Sequence, residues 1–407
     1  MKNIVTIFSG RQHNLEILIK YLQMALDKNI IHEVHFWNNT RNIEDEKYIQ
    51  SISNIKRTSS LGRYQQINTP IINNSFTFTV DSINNLYIFM YDITRVNNYE
   101  IVFGICKNVV IKYNNVTIFL GTWDYVLLEP SNDIRIDVQL IETTLCIYYN
   151  NTLIITCPVI EFDTFEIQQI FCKTFNTVGF LTYEQCKHPG FYFMDTCEKS
   201  WKNYYQHYTH YRYTNDVIIK CDDDIVFIDI TQLSGFIDFI KSNEYDLVFA
   251  NTINNGVAAY YQQHSFNLIP QSLMSLEYPD QGFEGSLWES GKKAELLHNY
   301  FIKNYNTFVN CTKLQTTPYI KIKTRFSINF FGYKGKNWHK IKDCYVDDEH
   351  NLTTVYNKPP HSFTNILYTP LFVSHLSFYK QVETGINTMD LIAKYHELYE
   401  HYKNTNQ

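Results

Sequence analysis

Val217-Ile218-Ile219-Lys220-Cys221-Asp222-Asp223-Asp224-Ile225-Val226-Phe227-Ile228-Asp229 decides how the rest of the chain is read. An apolar run rich in β-branched residues marks a strand buried on both faces, as in a parallel sheet. Three carboxylates then stand where that strand should end. Ligands of open α/β sheets collect at the carboxyl ends of strands. Adjacent aspartates repel one another and burying them unpaired is costly, so the cluster calls for a cation. Hard carboxylate oxygens suit Mg2+ or Mn2+, and these ions suit phosphate oxygens. If the strand stays extended through the triplet, Asp222 and Asp224 share one face and Asp223 points away. An acidic turn or a helix N-cap is the competing reading, since Asp favours both.

Working outward, the amino-terminal segment alternates cleanly. Ile4–Phe8 reads as a strand, Ser9-Gly10-Arg11 as a turn, Asn14–Lys28 as a helix and His32–Trp37 as a second strand. The helix shows in the spacing of Leu15, Leu18, Leu22, Ala25 and Leu26, and the pattern predicts two parallel strands joined by a right-handed crossover. From residue 54 to residue 188 the texture changes to about nine short strands punctuated by Asn, Asp and Gly, the pattern of an antiparallel sandwich. The α/β texture then returns, with helices expected over 196–211 and 232–242 and strands over 246–250, 320–326 and 371–378. The expected organisation is therefore an α/β domain in two parts, 1–53 and 189–407, interrupted by a β-sandwich domain over 54–188. A length of 407 residues agrees with two or three domains.

The formal net charge of −6 and the lack of a basic tract give no reason to expect nucleic acid as a partner. Lys2 to Phe8 reads as a core strand rather than a signal peptide, and no apolar stretch is long enough for a membrane span. A cytoplasmic protein is expected. Nine cysteines, an odd number without CxxC spacing, suggest reduced thiols and no structural zinc. The abundance of Asn, Ile, Tyr, Phe and Lys resembles proteins of AT-rich genomes, including large DNA viruses, which would extend the expectation to host cytoplasm or virion.

Three further spots can carry chemistry. Asp347-Asp348-Glu349 could hold a carboxylate as general base, or could open a helix whose dipole favours acids. His375, in an apolar strand, is either a hydrogen-bonded core residue or an imidazole completing a metal site. Asn254-Asn255-Gly256 is a tight-turn signal whose amides could also meet sugar hydroxyls. Trp201, Tyr204, Tyr205 and Tyr208 form an aromatic stripe read as core packing.

Taken in order, Ser9-Gly10-Arg11, "WNNTRN" at 37–42, "KCDDDIVFID" at 220–229, "NNG" at 254–256, "RFSINF" at 325–330, "DDE" at 347–349 and "SHLSF" at 374–378 resemble a glycosyltransferase of the GT-A type. The resemblance covers about residues 1–53 and 189–407 and implies a Rossmann-like mixed sheet flanked by helices. It implies Asp222, Asp224 and His375 as ligands of Mn2+ or Mg2+. Ser9, Gly10, Arg11, Asn38, Arg41, Asp222, Asp223, Asn254 and Asn255 would line the nucleotide sugar, expected to be a UDP-sugar. Asp348 would be the base that activates an acceptor hydroxyl on a glycan or protein, in preference to Asp347 or Glu349. The insertion resembles lectin-like β domains through Tyr99–Gly104 and Val178-Gly179-Phe180; it could bind sugar by stacking at Trp123 or Tyr125, or serve packing and self-association. Two competing functions remain at this level: a catalytically inactive glycan-binding or structural protein, and a metal-dependent phosphodiesterase, which the acidic balance disfavours.

Overall fold

In the computed structural model, residues 1–58, 65–67, 71, 75–80, 86–91, 98–103, 108–122, 134–141, 144–149, 152–158, 167, 169–174, 180–183, 190–195, 204–205, 207–208, 213–280, 284–340 and 347–405 are described. The chain divides into two compact units, 1–46 with 200–407, and 47–199. In the first unit, β1 (Asn3–Ser9), α1 (Gln12–Asp27) and β2 (Glu33–Asn38) form the expected β-α-β unit, with β1 and β2 parallel. Helix α1 buries Leu15, Leu18, Tyr21, Leu22 and Ala25 on one stripe and ends before Asn29, whose φ of 55° continues no helix. After β3 (Val217–Asp222) and β4 (Ile225–Ile228) come α2 (Ile230–Ser242), β5 (Leu247–Ile253), α3 (Gly256–His264) and α4 (Gly291–Val309). The last elements of the sheet and its cover are β6 (Tyr319–Ile322), β7 (Phe330–Lys334), β8 (Asn365–His375) and α5 (Thr388–Thr405).

The sheet order is β2-β1-β3-β7-β5-β8-β4, with β6 also on β8. β3 runs parallel to β1, with Phe8 opposite Asp222, and antiparallel to β7. β8 runs parallel to β5 and antiparallel to β4, with Ile225 opposite His375. The sheet is mixed, and β5 and β8 are buried at every position, as central strands must be. This pairing brings the loop after β1 and the end of β8 to either side of the acidic triplet.

The structure decides between the two readings of the triplet and corrects the bounds of two other strands. The strand does not run extended through the triplet: Asp223 and Asp224 form a turn between β3 and β4, and the two strands have different neighbours. Three adjacent carboxylates favour a turn, where each can face a different partner. The last strand starts earlier than expected, at Asn365, and stops at His375, leaving Phe378 outside it. Its Pro370 is tolerated because the ladder shifts register between Ala250 and Asn251, where a missing N–H breaks no bond. The strand expected over 320–326 also shortens to β6.

Among the described residues the second unit contributes strands to two sheets. One runs, in spatial order, through Thr152–Pro158, Thr144–Tyr149, Ile134–Ile141, Ser75–Val80, Phe180–Tyr183, Asn54–Thr58 and Phe191–Asp195; the other through Gln65–Ile67, Gln169–Thr174, Leu86–Tyr91, Asn98–Phe103, Asn108–Tyr113 and Val116–Thr122. Pairing is antiparallel except between the last two strands of the first sheet. Leu86, Ile88 and Met90 are buried between half-buried neighbours, so this strand covers an apolar layer on one face. The unit is sandwich-like.

In the first unit Phe227 of β4 is fully buried, with ring centroids 5.6 Å from Tyr21 of α1, 5.2 Å from Phe301 of α4 and 5.5 Å from Tyr402 of α5. One side chain thus joins three helices to the strand that follows the triplet. Replacing Phe227 by Ala should cost about 3–5 kcal/mol in chemical denaturation. A loss below about 1 kcal/mol would show that the helices do not depend on this contact.

Candidate metal centre

Each carboxylate of the triplet meets a different partner. Asp222 ends β3, and Lys220, two residues earlier on the same strand face, bonds to it. Asn329, beside β7, donates to its other oxygen at 2.9 Å. The Lys220 ammonium also donates to the Ile328 carbonyl at 2.7 Å. Burial opposes the Lys220 charge, but the charges of Asp222 and Asp348 override it and raise the pKa.

Asp223 accepts from the Gly10 N–H at 2.8 Å and from Arg11 at 2.5 Å. A Cβ at residue 10 would stand 3.3 Å from both an Asp223 oxygen and the Asn39 carbonyl, so this close approach favours glycine. Asp224 takes Arg11 on one oxygen at 3.0 Å and lies 3.3 Å from His375 Nε2 through the other. Burial pushes Asp223 up, Arg11 only partly offsetting it. Burial also acts on Asp224, yet His375 and Arg11 outweigh it and hold this carboxyl well below the usual range. The pair therefore titrates unequally: Asp224 is the firmly ionised member.

Asp222, Asp224 and His375 can each offer one ligand atom with all three atoms within 4.8 Å of one another. His375 is buried, its ring centroid is 4.4 Å from that of Phe378, and its Nδ1 has no hydrogen-bond partner among the described residues.

The second acidic run divides the same way. Asp347 caps a single helical turn by accepting from the His350 N–H at 2.9 Å and also meets Arg325 at 3.3 Å. Glu349 pairs with Arg325 at 2.7 Å; burial raises its pKa against that cation. Among the described residues Asp348 makes no ion pair; it accepts the Tyr205 hydroxyl at 2.6 Å.

Other sequence candidates are placed differently. Ser9 is fully buried and its hydroxyl donates to Ile7 O, while Asn38 accepts from the N–H and hydroxyl of Thr40. Arg41 is exposed. Asn254, at φ 70°, exchanges amide bonds of 2.9 and 2.8 Å with Gln381, and Asn255 caps α3 through Ala258 N. Their side chains hold the turn. Trp123, Tyr125, Gly104, Val178, Gly179, Trp201 and the rest of helix 196–211 apart from Tyr204, Tyr205, His207 and Tyr208 lie outside the described residues; those three tyrosines are buried. The sequence reading missed Lys220 and Asn329 as partners of Asp222. Alternation could have found Lys220, since residues two apart share a strand face. Among the described residues Cys146, Cys157, Cys221 and Cys311 are free thiols, and no helix is long and apolar enough to cross a membrane.

No protein-family model matches the chain, and a search of curated proteins finds no match. Solved structures with partial likeness include a carbohydrate-binding module from Bacillus subtilis, at 10% identity over 33% of this chain and 81% of that one, TM-score 0.22. A variant of human galectin-16 gives 8% identity over 31% and 99%, TM-score 0.24. A tetrameric galectin from the ball sponge Cinachyrella sp. gives 10% over 30% and 100%, TM-score 0.24. Likenesses of this size assign neither a fold nor a function to the whole chain.

Behind the centre, His298 is buried between the Tyr395 hydroxyl at 2.7 Å and the Leu376 carbonyl at 3.0 Å. Burial, then the nearby His375, pushes its pKa down to about 3 from the usual 6.5. Unfolding frees it to take a proton below pH 6.5, so its contribution is intact above that pH and is lost as pH falls towards 3. Wild type should lose about 1.4 kcal/mol per pH unit from this group between pH 6 and pH 4.5, a slope absent from His298→Gln. Parallel pH–stability curves for the two proteins would contradict the assignment.

Proposed function

We propose that the chain is a metal-dependent glycosyltransferase of the GT-A type, moving a sugar from a nucleoside diphosphate sugar to a hydroxyl of a glycan or protein. The observation that carries this reading is the convergence of Asp222, Asp224 and His375 at strand ends of a mixed sheet, beside the Gly10-Arg11 loop. The donors fit a divalent ion. Two carboxylates supply hard oxygens, and the His375 imidazole, whose Nδ1 has no partner among the described residues, supplies a nitrogen. Mn2+ or Mg2+ held there would neutralise charge growing on a departing diphosphate.

The chain's own groups have separable tasks in this scheme. Asp222 is oriented by Lys220 and Asn329, which fix its carboxylate at the end of β3. Arg11, half exposed, can offer its guanidinium to a phosphate. Asp348 takes the acceptor proton as the hydroxyl attacks, and the Tyr205 hydroxyl fixes its orientation. Asp347 and Glu349 are engaged by Arg325, which is the reason to prefer Asp348.

A panel of nucleotide sugars with and without Mn2+ tests the proposal. Metal-dependent transfer or hydrolysis is expected with at least one donor. Asp348→Asn should then lower turnover by about 10²–10⁴-fold while donor affinity stays within roughly threefold. Equal losses in rate and affinity would remove Asp348 from the base role. Glycan binding without any metal-dependent nucleotide binding would replace the enzyme by a non-catalytic glycan-binding protein.

A further inference from the structure

The acidic triplet is already answered by the protein's own cations. Lys220 bonds to Asp222, and Arg11 spans the other two, meeting Asp223 at 2.5 Å and Asp224 at 3.0 Å. These two cations differ in mobility. The Lys220 side chain is 8% exposed, while that of Arg11 is 47% exposed. Lys220 is thus built into the sheet, whereas Arg11 reaches in from the loop after β1 and can leave without opening the core.

The oxygen that Arg11 holds belongs to a candidate metal ligand. Asp224 divides its oxygens between the guanidinium on one side and His375 on the other. A divalent ion bound by Asp222, Asp224 and His375 would stand near the Arg11 charge and share a ligand with it. Two cations on one carboxylate repel, and in a partly buried site that repulsion is weakly screened. Asp223 offers Arg11 a place to stay: the Gly10 N–H and the guanidinium both fasten this carboxylate, which is not among the three metal donors.

We propose that Arg11 is a resident counter-cation that competes with the metal for Asp224 and so sets how tightly the metal binds. This rests on the metal site of the function proposed above. When the metal takes Asp224, Arg11 gives up that oxygen, keeps Asp223, and turns its remaining N–H donors towards any anion that accompanies the metal. Its planar fork suits a diphosphate, to which it can donate two parallel hydrogen bonds. The device keeps the site poorly charged towards a bare metal and favours the metal that arrives together with a phosphate-bearing ligand. Arg11 is in this account a positioning residue, acting on the metal through Asp224.

Mn2+ alone, titrated calorimetrically into the full chain without nucleotide, is the test. Arg11→Gln should bind Mn2+ on the order of tenfold more tightly than wild type. Arg11→Lys, which keeps the charge but not the two-pronged reach, should fall between them. Should the Gln variant fail to fold, the Lys variant decides alone: tighter binding than wild type supports competition, and equal or weaker binding overturns it. Unchanged or weaker Mn2+ binding in a folded Arg11→Gln overturns the role of Arg11 while leaving the metal site standing. Absence of Mn2+ binding in wild type and both variants overturns the competition and the metal site together.

Discussion

Three carboxylates on consecutive residues can be packed against a sheet only if each is given its own compensation, and the first unit is arranged around meeting that condition. Two unit charges about 5 Å apart repel by roughly 3 kcal/mol at an effective dielectric constant near 20. Left unanswered, that repulsion would keep the triplet in water. The turn at Asp223-Asp224 splits the three directions. Parallel pairing of β1 with β3 then sets Gly10 and Arg11 beside Asp223, β8 delivers His375 to Asp224, and Lys220 with Asn329 takes Asp222. Sheet order and site chemistry are one constraint seen from two sides.

The same logic sorts the second acidic run. Arg325 draws Asp347 and Glu349 to itself, and Asp348 meets the Tyr205 hydroxyl instead. Lys220 feels the charges of both Asp222 and Asp348, so a buried cation lies within electrostatic reach of the candidate metal ligand and the candidate base.

Much of this was legible in the sequence where local pattern governs. The β-α-β start, the strand over residues 75–80 and the helix ending at Ser242 follow from period and propensity, and the structure has them within a few residues. What pattern could not give is set by contacts between distant residues. Asn254 and Asn255 look like ligand-facing amides until Gln381, 127 residues away, claims the first and the start of α3 claims the second. The strand expected over 371–378 begins instead at Asn365, because a register shift against its neighbour accommodates Pro370 within it. Arg11 looks like a nucleotide contact, and only the fold shows that it is first a partner of the triplet. Period-two alternation did not survive Asp222 because electrostatics in a run of acids outweighs strand propensity.

The most direct measurement is pulsed electron paramagnetic resonance of the protein with one equivalent of Mn2+. If Asp222, Asp224 and His375 form the site, the bound ion should show nitrogen-14 coupling from one imidazole, and that coupling should disappear in His375→Gln. Stoichiometric Mn2+ that shows no nitrogen coupling, or coupling that persists in His375→Gln, would place the metal elsewhere and contradict the account.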